Sequence, residues 1–184
     1  MIIDRYSFET VRQNLLKALD QMKSEPKLFS IQINERTLTQ RLSLQLQPFF
    51  NGLLSVDCEY NRMWDGSDMQ KKLPHPEQTW TDDDEGRTVY PDVIAHVRDE
   101  PFENLLVIEA KRNHSGDKLP EKDETKLKLF TEPSGDFQYR FGAFVNFVTV
   151  GEKKRVEIVW FSSDGTVTGK KDVVSVSQQN GGTV

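Results

Sequence analysis

The stretch Val89–Arg112 decides the fold: Val-Tyr-Pro-Asp-Val-Ile-Ala-His-Val-Arg-Asp-Glu-Pro-Phe-Glu-Asn-Leu-Leu-Val-Ile-Glu-Ala-Lys-Arg. Two strand-like runs, Val89–Val97 and Leu105–Lys111, flank a short polar turn holding Asp99, Glu100 and Pro101, the signature of a β-hairpin. Side chains two apart on a strand share a face. Val93, Ala95 and Val97 therefore point one way and Asp92 the other, while Glu109 and Lys111 share a face at the end of the apolar run Leu105–Ile108. An antiparallel hairpin folds the end of its second strand beside the start of its first. The pattern thus predicts that Asp92 meets Glu109 and Lys111 where a core strand emerges.

Two carboxylates so placed form a hard-oxygen site suited to Mg²⁺, which takes one or two carboxylates and keeps several waters. A backbone carbonyl such as that of Ala110 and a substrate phosphate oxygen can complete the shell. A bound ion of this kind lowers the pKa of a water and stabilises charge on a phosphoryl oxygen. Lys111 is placed to steer or deprotonate the attacking water, or to neutralise the pentacovalent phosphate. The chemistry implied is metal-assisted phosphodiester hydrolysis. A Glu-x-Lys on a strand is by itself an ordinary solvated ion pair, and Pro-Asp is a common turn dipeptide. The functional reading rests on their falling together at one end of one hairpin.

The arrangement Pro91-Asp92, sixteen intervening residues, Glu109-Ala110-Lys111 resembles the PD-(D/E)xK nuclease superfamily. The resemblance covers roughly residues 30–161. It implies an α/β, restriction-endonuclease-like three-layer core, with a mixed central β-sheet flanked by helices. It further implies a Mg²⁺- or Mn²⁺-dependent site and cleavage of nucleic acid.

Working outward toward the N-terminus, Phe8–Lys23 carries Phe8, Val11, Leu15, Leu16, Leu19 and Met22 at helical spacing, and Pro26 halts that helix. A second helix begins between Ser30 and Thr37 and runs to about Phe50, its buried stripe marked by Leu38, Leu42, Leu46 and Phe49. Glu35 falls on that inward side near the helix start, where a carboxylate is costly unless paired or coordinated; in a first turn it also complements the helix dipole. The resemblance makes Glu35 the candidate that joins Asp92, Glu109 and the Ala110 carbonyl at the metal. Leu54–Arg62 alternates as a half-buried strand, and its end, Glu59-Tyr60-Asn61-Arg62, looks like a segment of small superfamily members. Arg62 is there a candidate phosphate contact, and Glu59 a candidate supporting acid.

Residues 63–87 read as one long hydrophilic loop holding Lys71, Lys72, Trp80 and the acidic run Asp82-Asp83-Asp84-Glu85. Beyond the hairpin, Asn113–Leu119 reads as a turn and Glu121–Thr131 as a helix. Lys111, Arg112, Lys118, Lys122, Lys126 and Lys128 make this the most basic neighbourhood, diluted by Asp117, Glu121, Asp123 and Glu124. Arg112 and Lys126 are the candidates here for contacts to a nucleic-acid backbone. Phe137–Val150, apolar on both faces, reads as a central strand covered on both sides. Val156–Phe161 forms another, a short hairpin follows around Asp164-Gly165, and residues 175–184 are expected to be a fraying tail.

The 184 residues suffice for a single domain with a substantial core. One cysteine, Cys58, excludes an intramolecular disulfide, and the three histidines make no metal-ligand spacing with it. No apolar run approaches the roughly 20 residues that span a bilayer, and the N-terminus lacks a signal-peptide pattern, so a cytoplasmic protein without a membrane partner is expected. The net charge of −5 counts against a high-affinity nucleic-acid scaffold. It leaves room for an enzyme whose carboxylates are offset by metal. Three functions compete on these residues: a metal-dependent DNA nuclease, a catalytically silent module of the same fold binding nucleic acid or a partner protein, and a protein whose acidic loop mimics DNA. A homodimer fits the first, because cutting two strands needs two sites.

Overall fold

A computed structural model describes residues 1–30, 32–59, 90–116, 118–151 and 154–176, with the backbone alone described at 62–63 and 69–70. Helix α1 (Phe8–Met22) starts where the Ser7 hydroxyl accepts from the Thr10 N–H at 3.2 Å. Helix α2 (Glu35–Leu46) starts in the same way, with the Asn34 side chain accepting from the Thr37 N–H at 2.8 Å. It ends four residues earlier than expected. Pro48 lacks an N–H and clashes with the preceding turn, so Gln47–Phe50 tightens into a 3-10 turn. As a result Phe50, not Phe49, is the fully buried ring.

Among the described residues, eight strands follow the helical start: β1 (Ser55–Cys58), β2 (Arg62–Met63), β3 (Met69–Gln70), β4 (Val93–His96), β5 (Asn104–Arg112), β6 (Phe141–Val148), β7 (Arg155–Ser162) and β8 (Lys171–Ser175), with helix α3 (Glu121–Phe130) between β5 and β6. Six of them form one mixed sheet in the order β1-β4-β5-β6-β7-β8. Strands β5 and β6 are parallel, and every other neighbouring pair is antiparallel. A parallel pair needs a long crossover, and α3 supplies it.

Several expected boundaries shift. The strand expected over Leu54–Arg62 stops at Cys58, because Glu59 takes a left-handed φ of 49° that extended strands do not accommodate. Arg62 and Met63 pair instead with Met69 and Gln70 in a separate two-stranded sheet, so 63–87 is not one uninterrupted loop. The strand expected from Phe137 begins only at Phe141, after Gln138 at φ 47°. The expected tail at 175–184 loses its first two residues to order: Ser175 ends β8, and the Val176 N–H donates to the Lys154 carbonyl at 2.9 Å.

The sheet separates two apolar cores. Helices α1 and α2 cover one face, packing Leu15, Leu19 and Leu42 against Ala95, Ile108 and Val145. Helix α3 covers the other, where Leu127 and Phe130 meet Ile94, Val107 and Phe144. Alternate residues of β5 thus serve opposite cores, the three-layer α/β arrangement that buries a strand on both sides.

Helix α3 sits close to the sheet because β6 carries Gly142 beneath it. A Cβ there would stand 3.1 Å from Thr131 Cγ2 and 3.2 Å from Leu127 Cδ2. Gly142→Val is therefore expected to cost about 1–3 kcal/mol by overpacking, at roughly 2–4 °C of melting temperature per kcal/mol for a chain of this size. Thermal unfolding followed by circular dichroism checks this, and an unchanged midpoint would mean that α3 has slack to lift.

Candidate active site

Strand β5 lies between β4 and β6, and its residues Asn104–Ala110 are all buried. A carboxylate on the α3 face of such a strand is largely shielded from bulk water. That is the position of Glu109, 1% exposed. The register Val93↔Ile108 sets Asp92 across from Glu109 at the mouth of the β4–β5 pair. Asp92 Oδ2 accepts from the Ala110 N–H at 2.7 Å, which fixes its carboxylate beside the strand. The amide and carbonyl of one strand residue face the same side, so the Ala110 carbonyl is turned toward Asp92 as well.

Three more charged groups close around this pair. Lys126, on α3, donates to Glu109 Oε2 at 3.2 Å with its side chain only 12% exposed. Lys111 Nζ stands 3.3 Å from Glu35 Oε1 and 3.8 Å from Asp123 Oδ2. Asp123, in the first turn of α3, is buried. Among the described residues, the buried oxygens Glu109 Oε1 and Asp123 Oδ2 have no hydrogen-bond partner. The group opens into a cleft of about 740 Å³, with Arg36, Glu59, Tyr90 and Lys122 on its walls.

Burial shifts the titration of these groups. Desolvation, reinforced by the neighbouring Asp92 charge, pushes the Glu109 carboxyl up to about 8 even though Lys126 pulls the other way. Asp92 rises to about 6, again through burial, with the Ala110 N–H and the Lys111 charge opposing. Burial also raises Asp123. At Lys111 burial works to lower the pKa, but Asp123, Glu35 and Asp92 outweigh it and the ammonium is held more firmly than usual.

The sequence-derived candidates fall out unevenly. Asp92, Glu109, the Ala110 backbone and Lys111 come together. Glu35 reaches the cleft, but both its oxygens are engaged: Oε1 by Lys111, and Oε2 by the Arg112 N–H at 3.0 Å. Arg112 does not line the cleft as a backbone contact would. Its guanidinium donates to the Ile33 carbonyl at 2.8 Å and braces the segment leading into α2. Lys126 does line the cleft, with its ammonium held on Glu109. The Arg62 side chain, Tyr60, Asn61, Lys71, Lys72, Trp80 and the run Asp82–Glu85 lie outside the described residues. Glu59 stands at the cleft rim, paired with Arg36 at 3.1 Å.

Asp123 was legible only as a charge diluting a basic surface, yet it lies four residues before Leu127 and seven before Phe130, both buried. That i, i+4, i+7 spacing marks it as inward-facing by the same argument that picked out Glu35.

The donor set suits a divalent ion. The Asp92 charge adds to burial in raising the Glu109 pKa, and one buried oxygen of Glu109 is orphaned. A cation of higher charge than one ammonium would relieve both conditions. The two carboxylates and the Ala110 carbonyl make a small set, in keeping with an ion that retains several waters. Among the described residues no three His, Cys, Asp or Glu side chains group to hold a metal. No helix among them is long and apolar enough to cross a membrane. No protein-family model, curated protein or solved structure matches the chain.

The raised carboxyls make stability depend on pH. In the folded state Glu109 and Asp92 keep protons that the unfolded chain releases near pH 4, so folding binds protons and stability falls as pH rises. The loss runs from about pH 4 through the folded values of about 6 and about 8. In EDTA the melting temperature is expected to be higher at pH 6 than at pH 8.5, and Glu109→Gln is expected to flatten the difference. A profile that rises with pH across this range would contradict the buried pair.

Proposed function

We propose that the protein is a divalent-metal-dependent nuclease that hydrolyses phosphodiester bonds, with DNA as its substrate. The observation that carries this reading is the buried Glu109, with an orphaned oxygen, beside the half-buried Asp92 in a cleft shared with Lys111. The topology supports it too. An antiparallel β1-β4-β5 meander continues through α3 into a parallel β6, beside an α2 that presents Glu35. This is the layout expected of a restriction-endonuclease-like core. A cytoplasmic enzyme, with two copies cooperating on two strands, is consistent with the same reading.

Asp92, Glu109 and the Ala110 carbonyl would hold Mg²⁺ or Mn²⁺, which when bound supplies Lewis acidity to water and to the phosphoryl group. Lys111 does the work nearest the phosphorus. Its raised pKa keeps it an ammonium at neutral pH, so it donates hydrogen bonds to the phosphate oxygens and offsets the charge that builds there. Glu35 and Asp123 aim that ammonium from two sides. In the overall reaction the water oxygen bonds to phosphorus and the bond to one sugar oxygen breaks. One water proton leaves to solvent, and the leaving oxygen gains one. Burial on β5 removes competing water from the carboxylates and holds them in place.

One feature favours the alternative, a catalytically silent module binding nucleic acid or a partner protein: Glu109 already has an ammonium, Lys126, in contact. Cleavage of supercoiled, linear and single-stranded DNA with Mg²⁺ or Mn²⁺ separates the two readings. Metal-dependent cleavage is expected, falling by at least about 100-fold in separately purified Asp92→Ala and Lys111→Ala proteins. Equal cleavage by wild type and variants would point to contamination and put the silent module first.

A further inference from the structure

We infer that Lys126 is the built-in counter-ion of Glu109, and that a divalent cation entering the site drives its ammonium across to Asp123. The inference rests on the metal-dependent reading above and adds what regulates entry to that site. Four observations lead to it.

First, the Lys126–Glu109 pair is almost wholly out of water, at 12% and 1% side-chain exposure, so each charge depends on the other. Second, the Lys126 ammonium donates to Glu109 Oε2, while Oε1 has no hydrogen bond among the described residues, so the ammonium serves one of the two carboxylate oxygens. Third, Asp123 Oδ2 is also buried without a hydrogen bond among the described residues, and the Lys111 ammonium stands 3.8 Å from it, closer to Glu35. Fourth, Asp123 and Lys126 are three residues apart on α3 and therefore neighbours on one helix face. A lysine on its four-carbon stem turns its three donors to a new acceptor without any change in the helix.

The electrostatics give the direction of the move. Once ionised, the carboxylates of Glu35, Asp92, Glu109 and Asp123 outnumber the ammoniums of Lys111 and Lys126, so the site without metal carries excess negative charge. A doubly charged ion at Asp92 and Glu109 repels the ammonium on Oε2 and competes for the same oxygen. Retreat to solvent would leave Asp123 with only the long 3.8 Å contact to Lys111, whereas transfer to Asp123 gives its buried oxygen a close ammonium. Lys126 thereby sets how tightly the site takes a cation and keeps the strand ends together before one arrives. Asp123 serves as a positioning residue for Lys126, distinct from its contact with Lys111.

Titration calorimetry with Mn²⁺ at pH 8 on wild type, Lys126→Met, Asp123→Asn and the double variant tests this, alongside melting in EDTA. Lys126→Met is expected to melt lower in EDTA yet bind Mn²⁺ about tenfold tighter, because no ammonium competes. Lys126→Gln, which can still hydrogen-bond Glu109, provides the same comparison should the Met protein fail to fold. Asp123→Asn is expected to weaken Mn²⁺ binding, but to have no such effect when Lys126 is already Met. Equal affinity in wild type and both Lys126 variants would overturn the counter-ion. Weakening by Asp123→Asn that persists in the double variant would overturn the transfer, because Asp123 would then act on the ion itself. Binding of Mn²⁺ by none of the proteins would overturn the metal reading and this inference together. Coupled Mn²⁺ binding without DNA cleavage would uphold the inference and remove only the nuclease.

Discussion

Everything in the cleft follows from burying the Glu109 carboxylate on the central strand. β5 is flanked by β4 and β6 and covered by helices on both faces, so a side chain that would be solvated on an edge strand is cut off from water. An isolated charge there is untenable. The surroundings answer in the ways physics allows: a raised pKa, a buried ammonium from Lys126, and an oxygen left without a hydrogen bond. A protein with no use for such a carboxylate would do better with an apolar residue of similar volume. Retaining the acid costs stability, and the cost is intelligible if the site must bind a cation.

Helix α3 turns out to be as much a part of the site as the hairpin. Its apolar residues Leu127 and Phe130 seal the second core, and the same inward stripe carries Asp123 to the cleft. Gly142 lets that stripe approach the sheet closely enough for Lys126 to reach Glu109. Packing and chemistry are therefore coupled: whatever lifts α3 also loosens the two charges it delivers. On the opposite side α2 contributes through its first residue, Glu35, which ties Lys111 and the Arg112 amide to the end of β5. The strand carrying the central acid is thus gripped from both layers.

Much of this was legible before any coordinates. Period-two alternation around Asp92 and Glu109 implied their meeting, because the geometry of a hairpin leaves little freedom once the turn is placed. Where local chemistry met tertiary demands the reading slipped. Pro48 shortened α2, and a left-handed Glu59 ended β1 early. Lys126 and Arg112 looked like surface cations because a lysine or arginine near acids is, in sequence, the same whether it faces solvent or a buried carboxylate. At Asp123 two signals compete: its spacing to Leu127 and Phe130 points inward, while Asp117, Glu121 and Glu124 nearby give the segment the look of a solvated surface.

The sequence by itself determined the hairpin, the order of helices and strands, and the convergence of Asp92, Glu109 and Lys111. These depend on side-chain periodicity and on contacts within a short span of chain. Only the tertiary structure decided which charges face one another across layers: Glu35 to Lys111 from α2, Asp123 to Lys111 and Lys126 to Glu109 from α3. Those pairings depend on how closely each helix packs on the sheet and how it is rotated. These are properties of the assembled core that no local pattern encodes.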